Sequence, residues 1–170
     1  SSYAELDDLA ENAPPFGGLV DPDHDELKAP GRMPERIQAL CRDTDQEAPT
    51  SKGEILRLVA ESVAFKHRVR FHQLREITGK TLDRIHMGGG GIKNELLAQS
   101  IATSCGTPVH AGPIEATACG NLITQMVTTG DLPDIATGRQ LIRESTPLKI
   151  FAPGDPTPWD NALPRFESLL

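Results

Sequence analysis

The stretch Leu82-Asp83-Arg84-Ile85-His86-Met87-Gly88-Gly89-Gly90-Gly91-Ile92-Lys93-Asn94 decides the fold class. Residues 82–87 can form an apolar strand, 88–91 a glycine turn, and 92–105 an apolar-periodic helix that Gly106 is placed to end. The pattern then repeats. Val109–Ala111 reads as a second strand, Gly112-Pro113 as its exit, and residues 115–129 as a helix closed by Gly130. Strands alternating with helices of this length pair in parallel through right-handed crossovers. The fold class is α/β.

Upstream, Ser51 and Glu54 stand at the spacing of a capping box, and Gly79 is placed to end the helix they open. Between them Ile55, Leu58, Val59, Ser62, Phe65 and Val69 recur at helical spacing, with Leu56, Ala60 and Val63 as a second apolar strip. A stripe that broad predicts a central, largely buried helix about 40 Å long. A shorter helix is expected at 35–41. The stretch 12–34, rich in Pro, Gly and Asp, is expected to be an extended loop rather than a packed element. Within it Asp21-Pro22-Asp23 imitates the opening of a calcium loop, but Glu26 stands where the sharp turn needs glycine and Arg32 where the bidentate acid belongs. Beyond Asp131, residues 136–144 and 160–170 are helix candidates, separated by a Pro-rich segment, and Trp159 is expected to anchor the tail through its apolar area. The chain divides into a domain at 1–150 and a tail at 151–170.

Composition narrows the function classes. With 24 acidic and 17 basic residues among 170 the net charge is −7, and no Lys/Arg cluster stands ready to neutralise a run of phosphates, so nucleic acid is not an expected partner. No apolar run approaches the roughly 18 residues of a membrane span, and Ser1-Ser2-Tyr3-Ala4-Glu5 lacks the pattern of a signal peptide. The reading is soluble and cytoplasmic. Cys41, Cys105 and Cys119 form no CxxC pair and read as small hydrophobes. His67 and His72 are five apart and share no helix face, as a metal pair would.

Four glycines between a strand and a helix let a backbone approach a ligand where side chains would intrude, and the helix start offers free N–H groups and partial positive charge. That is the physics of a phosphate-binding turn. No GK[ST] follows, which excludes a Walker A loop, and no register of GxGxxG fits because its sixth place falls on Lys93 or Asn94. The plainer reading is a flexible or tightly packed turn, and the plainer reading of Lys93 is a solvated lysine at a helix start.

Four stretches together resemble the C-terminal domain of the FGGY carbohydrate kinases, and within that family the rhamnulokinases. They are Met33-Pro34-Glu35-Arg36-Ile37-Gln38, Gly53-Glu54-Ile55-Leu56-Arg57-Leu58-Val59-Ala60-Glu61-Ser62, the glycine turn 85–94, and Gly112-Pro113-Ile114-Glu115-Ala116-Thr117-Ala118-Cys119-Gly120-Asn121. The likeness runs from Tyr3 to about Phe151. It implies an actin-like, ribonuclease H-like ATPase fold, with ATP in a cleft between two such domains. It also implies that Gly89, Gly90 and Gly91 pack against the nucleotide and that Asn94 contacts its adenosine end, where an amide offers both a donor and an acceptor. Gly120 is expected as a close-packing position, and Thr117 as a structural residue with a place in the cleft as the alternative. Gly88 departs from the family, which has an apolar strand residue there.

Phosphoryl transfer to a sugar needs a carboxylate base, a bridging Mg ion and donors that hold the sugar in line. The resemblance implies that these come from the N-terminal domain and the start of the C-terminal one, so no catalytic or metal residue is assigned in this chain. The expectation is a truncated chain, with Tyr3 to Ala10 as a mid-domain helix, that binds ATP, meets its sugar through the missing domain, and has no kinase activity alone. A stand-alone, non-catalytic nucleotide-binding module is the alternative. A dinucleotide oxidoreductase is disfavoured by the glycine spacing.

Overall fold

The computed structural model describes residues 3–170. At its centre is a three-stranded sheet of β1 (Ile85–Met87), β2 (Val109–Ala111) and β3 (Lys149–Phe151), in that order. β1 and β2 run parallel, with Ile85 opposite Val109 and Met87 opposite Ala111. The crossover between them is α4 (Glu95–Cys105), as the repeated strand-turn-helix pattern predicts. β3 is antiparallel to β2, pairing Phe151 with Val109 and Lys149 with Ala111. Alternation along the strands sends Ile85, Met87, Val109, Ala111 and Phe151 into the core. On the other face, the rings of His86 and His110 meet edge to face at 5.5 Å.

The remaining elements are α1 (Tyr3–Glu11), α2 (Met33–Asp43), α3 (Lys52–Thr78), α5 (Ala116–Thr129), α6 (Ile135–Ser145) and α7 (Thr157–Glu167). α3 opens on the expected capping box, with both reciprocal bonds between Ser51 and Glu54 formed, and closes on Gly79 at φ 61°. Its burial differs from the expectation. Leu58, Ala60, Ala64 and Phe65 are buried, but beyond Lys66 the helix is half-buried or exposed, and Ile77 is 83% exposed. α1, α4 and α7 cover only part of its length: Val69 and Phe71 still pack half-buried against the core, and residues 72–78 are exposed.

The loop 12–34 also departs from the expectation. It ends at Arg32, since α2 already begins at Met33, and apart from a short 3-10 turn at Asp25–Leu27 it has no regular structure, yet Leu19 and Val20 are buried and Phe16 packs against the main core. A buried loop must satisfy its backbone elsewhere, and here side chains of α3 and its neighbours do so. Phe16 N–H donates to Glu61 Oε2 at 2.8 Å, Val20 N–H to Ser62 Oγ at 3.1 Å, and Leu19 N–H to Gln46 Oε1 at 2.9 Å. This explains a Glu and a Ser among the buried residues of an apolar stripe. Asp21 and Asp23 are taken up by the Lys66 ammonium, at 2.7 and 3.0 Å.

Trp159 does anchor the tail. Its ring lies 4.8 Å from Phe65 and 5.0 Å from Phe16, and Phe166 stacks on Phe65 at 5.2 Å, so loop, α3 and α7 share one aromatic cluster. Cys41 and Cys105 are buried and unpaired, and Cys119 is half-buried. Among the described residues, no helix is long and apolar enough to cross a membrane.

Candidate functional site

Because β1 and β2 are parallel, the turns that follow them leave the sheet on the same side, at the carboxyl ends of the strands. In open α/β sheets that is where ligands bind. The two turns are stitched together: Gly112 N–H donates to Met87 O at 2.8 Å, and Gly89 N–H donates to Pro113 O at 3.1 Å. Gly88 adds a close approach, since a Cβ there would stand 2.9 Å from the Ala116 Cβ at the start of α5. The glycine turn and the Gly112-Pro113 turn, separate in sequence, are therefore one surface.

Each glycine has its own reason. Gly88 is required by packing, and Gly89 by its conformation, at φ 82° and ψ −171°. At Gly91 a Cβ would touch Met87 Cε at an ordinary 3.4 Å. Gly90 is different: its φ lies outside the positive region and a Cβ would meet nothing within 4 Å. Within this chain neither conformation nor packing demands a glycine there.

The helix begins three residues later than the apolar pattern suggests. Gly90–Lys93 form a 3-10 turn, and α4 starts at Glu95 with Asn94 as its N-cap. Asn94 Oδ1 accepts the Leu97 N–H at 2.8 Å, the bond that makes Asn among the best capping residues. Ile92 and Lys93 belong to the 3-10 turn with Gly90 and Gly91, whose low helix propensity disfavours carrying α4 back through them. Of the donor and acceptor expected for a ligand, the oxygen is thus engaged in the cap. Among the described residues Nδ2 makes no hydrogen bond, so the NH2 is the group left for a ligand. Lys93 is exposed.

In the second motif Glu115 and Thr117 are exposed at the start of α5. Gly120 is exposed as well, and a Cβ there would meet no atom within 4 Å, so it is not a close-packing position within this chain. Concavities of about 180, 480 and 370 Å³ lie beside the loop 14–18, against α2, and beside Glu95 and Gln99 respectively, and none of these three is lined by the glycine turn. Among the described residues no cluster of three or more His, Cys, Asp or Glu could hold a metal ion.

One feature escaped the sequence reading. Glu95, Gln99 and Thr103 stand four apart on α4, and all three engage the segment 149–154. Polar residues at every fourth place on α4 are the signal, but Ser100 and Ser104 repeat at the same spacing, so the sequence alone does not single out this row.

A family model described as the FGGY family of carbohydrate kinases, C-terminal domain, matches residues 1–129. The chain belongs to the FGGY family. Among curated relatives of this FGGY domain, a rhamnulokinase of Bacteroides thetaiotaomicron is 40% identical over 170 residues, which is 100% of this chain and 35% of the relative. A rhamnulokinase of Bacillus subtilis is 36% identical over 91% of this chain and 32% of its own length. Solved structures share the fold: ligand-bound xylulose kinase from Lactobacillus acidophilus, at TM-score 0.67 and 15% identity, covers 99% of this chain, which spans 34% of that one. Plasmodium falciparum glycerol kinase with ADP follows at TM-score 0.63 and 17% identity, covering 96% of this chain, which spans 33% of that one. The FGGY domain thus has the fold of the C-terminal part of the actin-like sugar kinases and spans about a third of the length of its relatives.

Proposed function

We propose that this chain forms the adenosine-side wall of the ATP cleft in a sugar kinase of the rhamnulokinase type. The parent enzyme transfers the γ-phosphate of ATP to a hydroxyl of rhamnulose or a related ketose. The observation that carries this reading is Gly90. A glycine that neither its own backbone nor its neighbours require, on a surface built from two strand-end turns, leaves room for something outside the chain. A nucleotide fits the surface: Gly89 and Gly90 have open space before them, and Asn94 has a free amide donor for an acceptor atom of the adenosine.

In this reading Gly89, Gly90 and Gly91 bear against the nucleotide, and Asn94 orients its adenosine end. The bound ATP supplies the phosphoryl group. The chain's own part is to position it and to exclude water from one side. The carboxylate base, the Mg ligands and the sugar contacts are placed on the two-thirds of the relatives' length that this chain does not span. The cytoplasmic setting read from the sequence belongs to the same proposal.

The test uses the full-length protein that carries this segment. Gly90→Val fills the space before the turn with a branched side chain, so ATP affinity measured by calorimetry should fall at least about 10-fold, the equivalent of roughly 1.4 kcal/mol. L-rhamnulose affinity should change much less, and circular dichroism should show a folded variant. A folded Gly90→Val protein with unchanged ATP affinity would make the turn structural and the site assignment wrong.

A further inference from the structure

The segment 149–154 meets α4 at three successive points. The Lys149 ammonium pairs with Glu95 in the first turn of the helix. One turn on, Gln99 Nε2 donates to Ala152 O at 2.8 Å and to Thr103 Oγ1 at 3.1 Å. A further turn along, Thr103 Oγ1 accepts the Gly154 N–H at 3.1 Å. A Cβ on Gly154 would stand 3.3 Å from that oxygen, so the strap lies close against the helix. Four-residue spacing keeps the three rungs on one face of α4.

The same strap begins as β3, which pairs with β2 and sets Lys149 opposite Ala111, the last residue before the Gly112-Pro113 turn. It therefore holds both elements that carry the candidate site, α4 through side chains and β2 through backbone. Its first rung, Glu95, directly follows the cap residue Asn94. All of the strap lies beyond residue 129, where the match to the family model stops.

We propose that segment 149–154 is a clasp that sets the spacing between the glycine turn and the Gly112-Pro113 turn, with Glu95, Gln99, Thr103 and Lys149 as positioning residues for the nucleotide. This rests on the nucleotide reading of the glycine turn. With the rungs in place, the start of α4 is fixed against β2 before a ligand arrives. Without them, the ligand itself must order the helix start, and that cost appears as lost affinity. Sugar binding, placed on another part of the protein, is indifferent to the rungs.

In the full-length protein, Gln99→Ala combined with Thr103→Val removes the middle and last rungs. ATP affinity by calorimetry should fall about 10-fold, with L-rhamnulose affinity within about 2-fold and KM for ATP rising more than kcat falls. Thr103→Ser keeps the hydroxyl and should restore wild-type binding. Arg165→Ala, which frees α7 from Phe16 O without touching a rung, should lower Tm but leave ATP affinity unchanged. Unchanged ATP affinity in the double variant overturns the clasp, as does an equal loss in Arg165→Ala, which would signify general loosening. If the double variant does not fold, Lys149→Met decides through the exposed first rung alone: an ATP affinity about 3-fold weaker supports the clasp and an unchanged one overturns it. Gly90→Val separates the two layers. Loss of ATP binding there, together with intact binding in the clasp variants, sinks the clasp only, whereas intact binding in Gly90→Val sinks the nucleotide reading itself.

Discussion

At Asn94 a single amide serves two ends, and substitutions can take them apart. Asp keeps an oxygen to accept the Leu97 N–H and adds negative charge at a helix N-terminus, where it is favourable. It offers a ligand no donor. Asn94→Asp should therefore hold or raise stability in urea while weakening ATP binding in the full-length protein by roughly 5- to 150-fold, the cost of an unpaired ligand group. Asn94→Ala should lose both, with about 1 kcal/mol of stability going with the cap. An Asp variant that binds ATP normally would remove Asn94 from the site. The sequence marked Asn94 as a ligand residue and missed the cap, because apolar periodicity from Ile92 onward does not distinguish a 3-10 turn from the first turn of a helix. Glu61 makes a second residue-scale case. Burial raises its carboxyl above the usual range, and the Arg57 guanidinium, 2.8 Å away, and the Phe16 N–H offset this only in part. A native state that holds this proton more tightly than the unfolded chain gains stability that is complete below the unfolded carboxylate's pKa and is lost as pH rises through the raised native value. Glu61→Gln has no such proton. Urea unfolding of both proteins between pH 4 and 8 should show wild type gaining on the variant as pH falls, and the opposite trend would refute the assignment.

Among the elements, α3 was the most legible and the most misjudged. Its caps follow from Ser51, Glu54 and Gly79, and both formed. Its extent of burial could not be read, because an apolar stripe records what a helix can cover and not what stands beside it. The loop 12–34 shows the converse: breakers rule out regular structure, but they say nothing about whether Gln46, Glu61 and Ser62 wait to receive its N–H groups. β3 was missed because Lys149-Ile150-Phe151 lacks the apolar-polar-apolar alternation that Val109-His110-Ala111 of the equally short β2 shows. How α1 crosses α3 supplies the element-scale prediction. Gly53 sits against α1 so closely that a Cβ would lie 2.3 Å from Leu9 O, a backbone atom with no rotamer to yield. Helix propensity favours Ala over Gly by up to about 1 kcal/mol, yet Gly53→Ala should destabilise by about 1–3 kcal/mol, since overpacking wins when the neighbour is backbone. Chemical denaturation of the two proteins checks the sign. A more stable Gly53→Ala would mean that the helices part freely.

For the whole molecule, the α/β class and the parallel pair were readable from one glycine stretch and its echo at Gly112, whereas the joining of the two turns into one surface was not, since it depends on hydrogen bonds between distant residues. The chain spans about a third of the length of its relatives, and the 170 residues expressed alone should therefore give no turnover of L-rhamnulose with Mg-ATP in a coupled assay. Turnover abolished by mutating a residue of this chain would show that the base and sugar contacts lie here after all. The aromatic cluster bears on synthesis. Phe16 and Phe65 leave the ribosome long before Trp159 and Phe166, and Arg165 must reach back 149 positions to the Phe16 carbonyl. Closing so long a loop is slow, and until it closes an unfinished chain exposes its aromatic faces. A nascent chain stalled before Trp159 should therefore depend on chaperones and be cut readily by proteases around residues 14–20, and protection there should appear only once α7 has emerged.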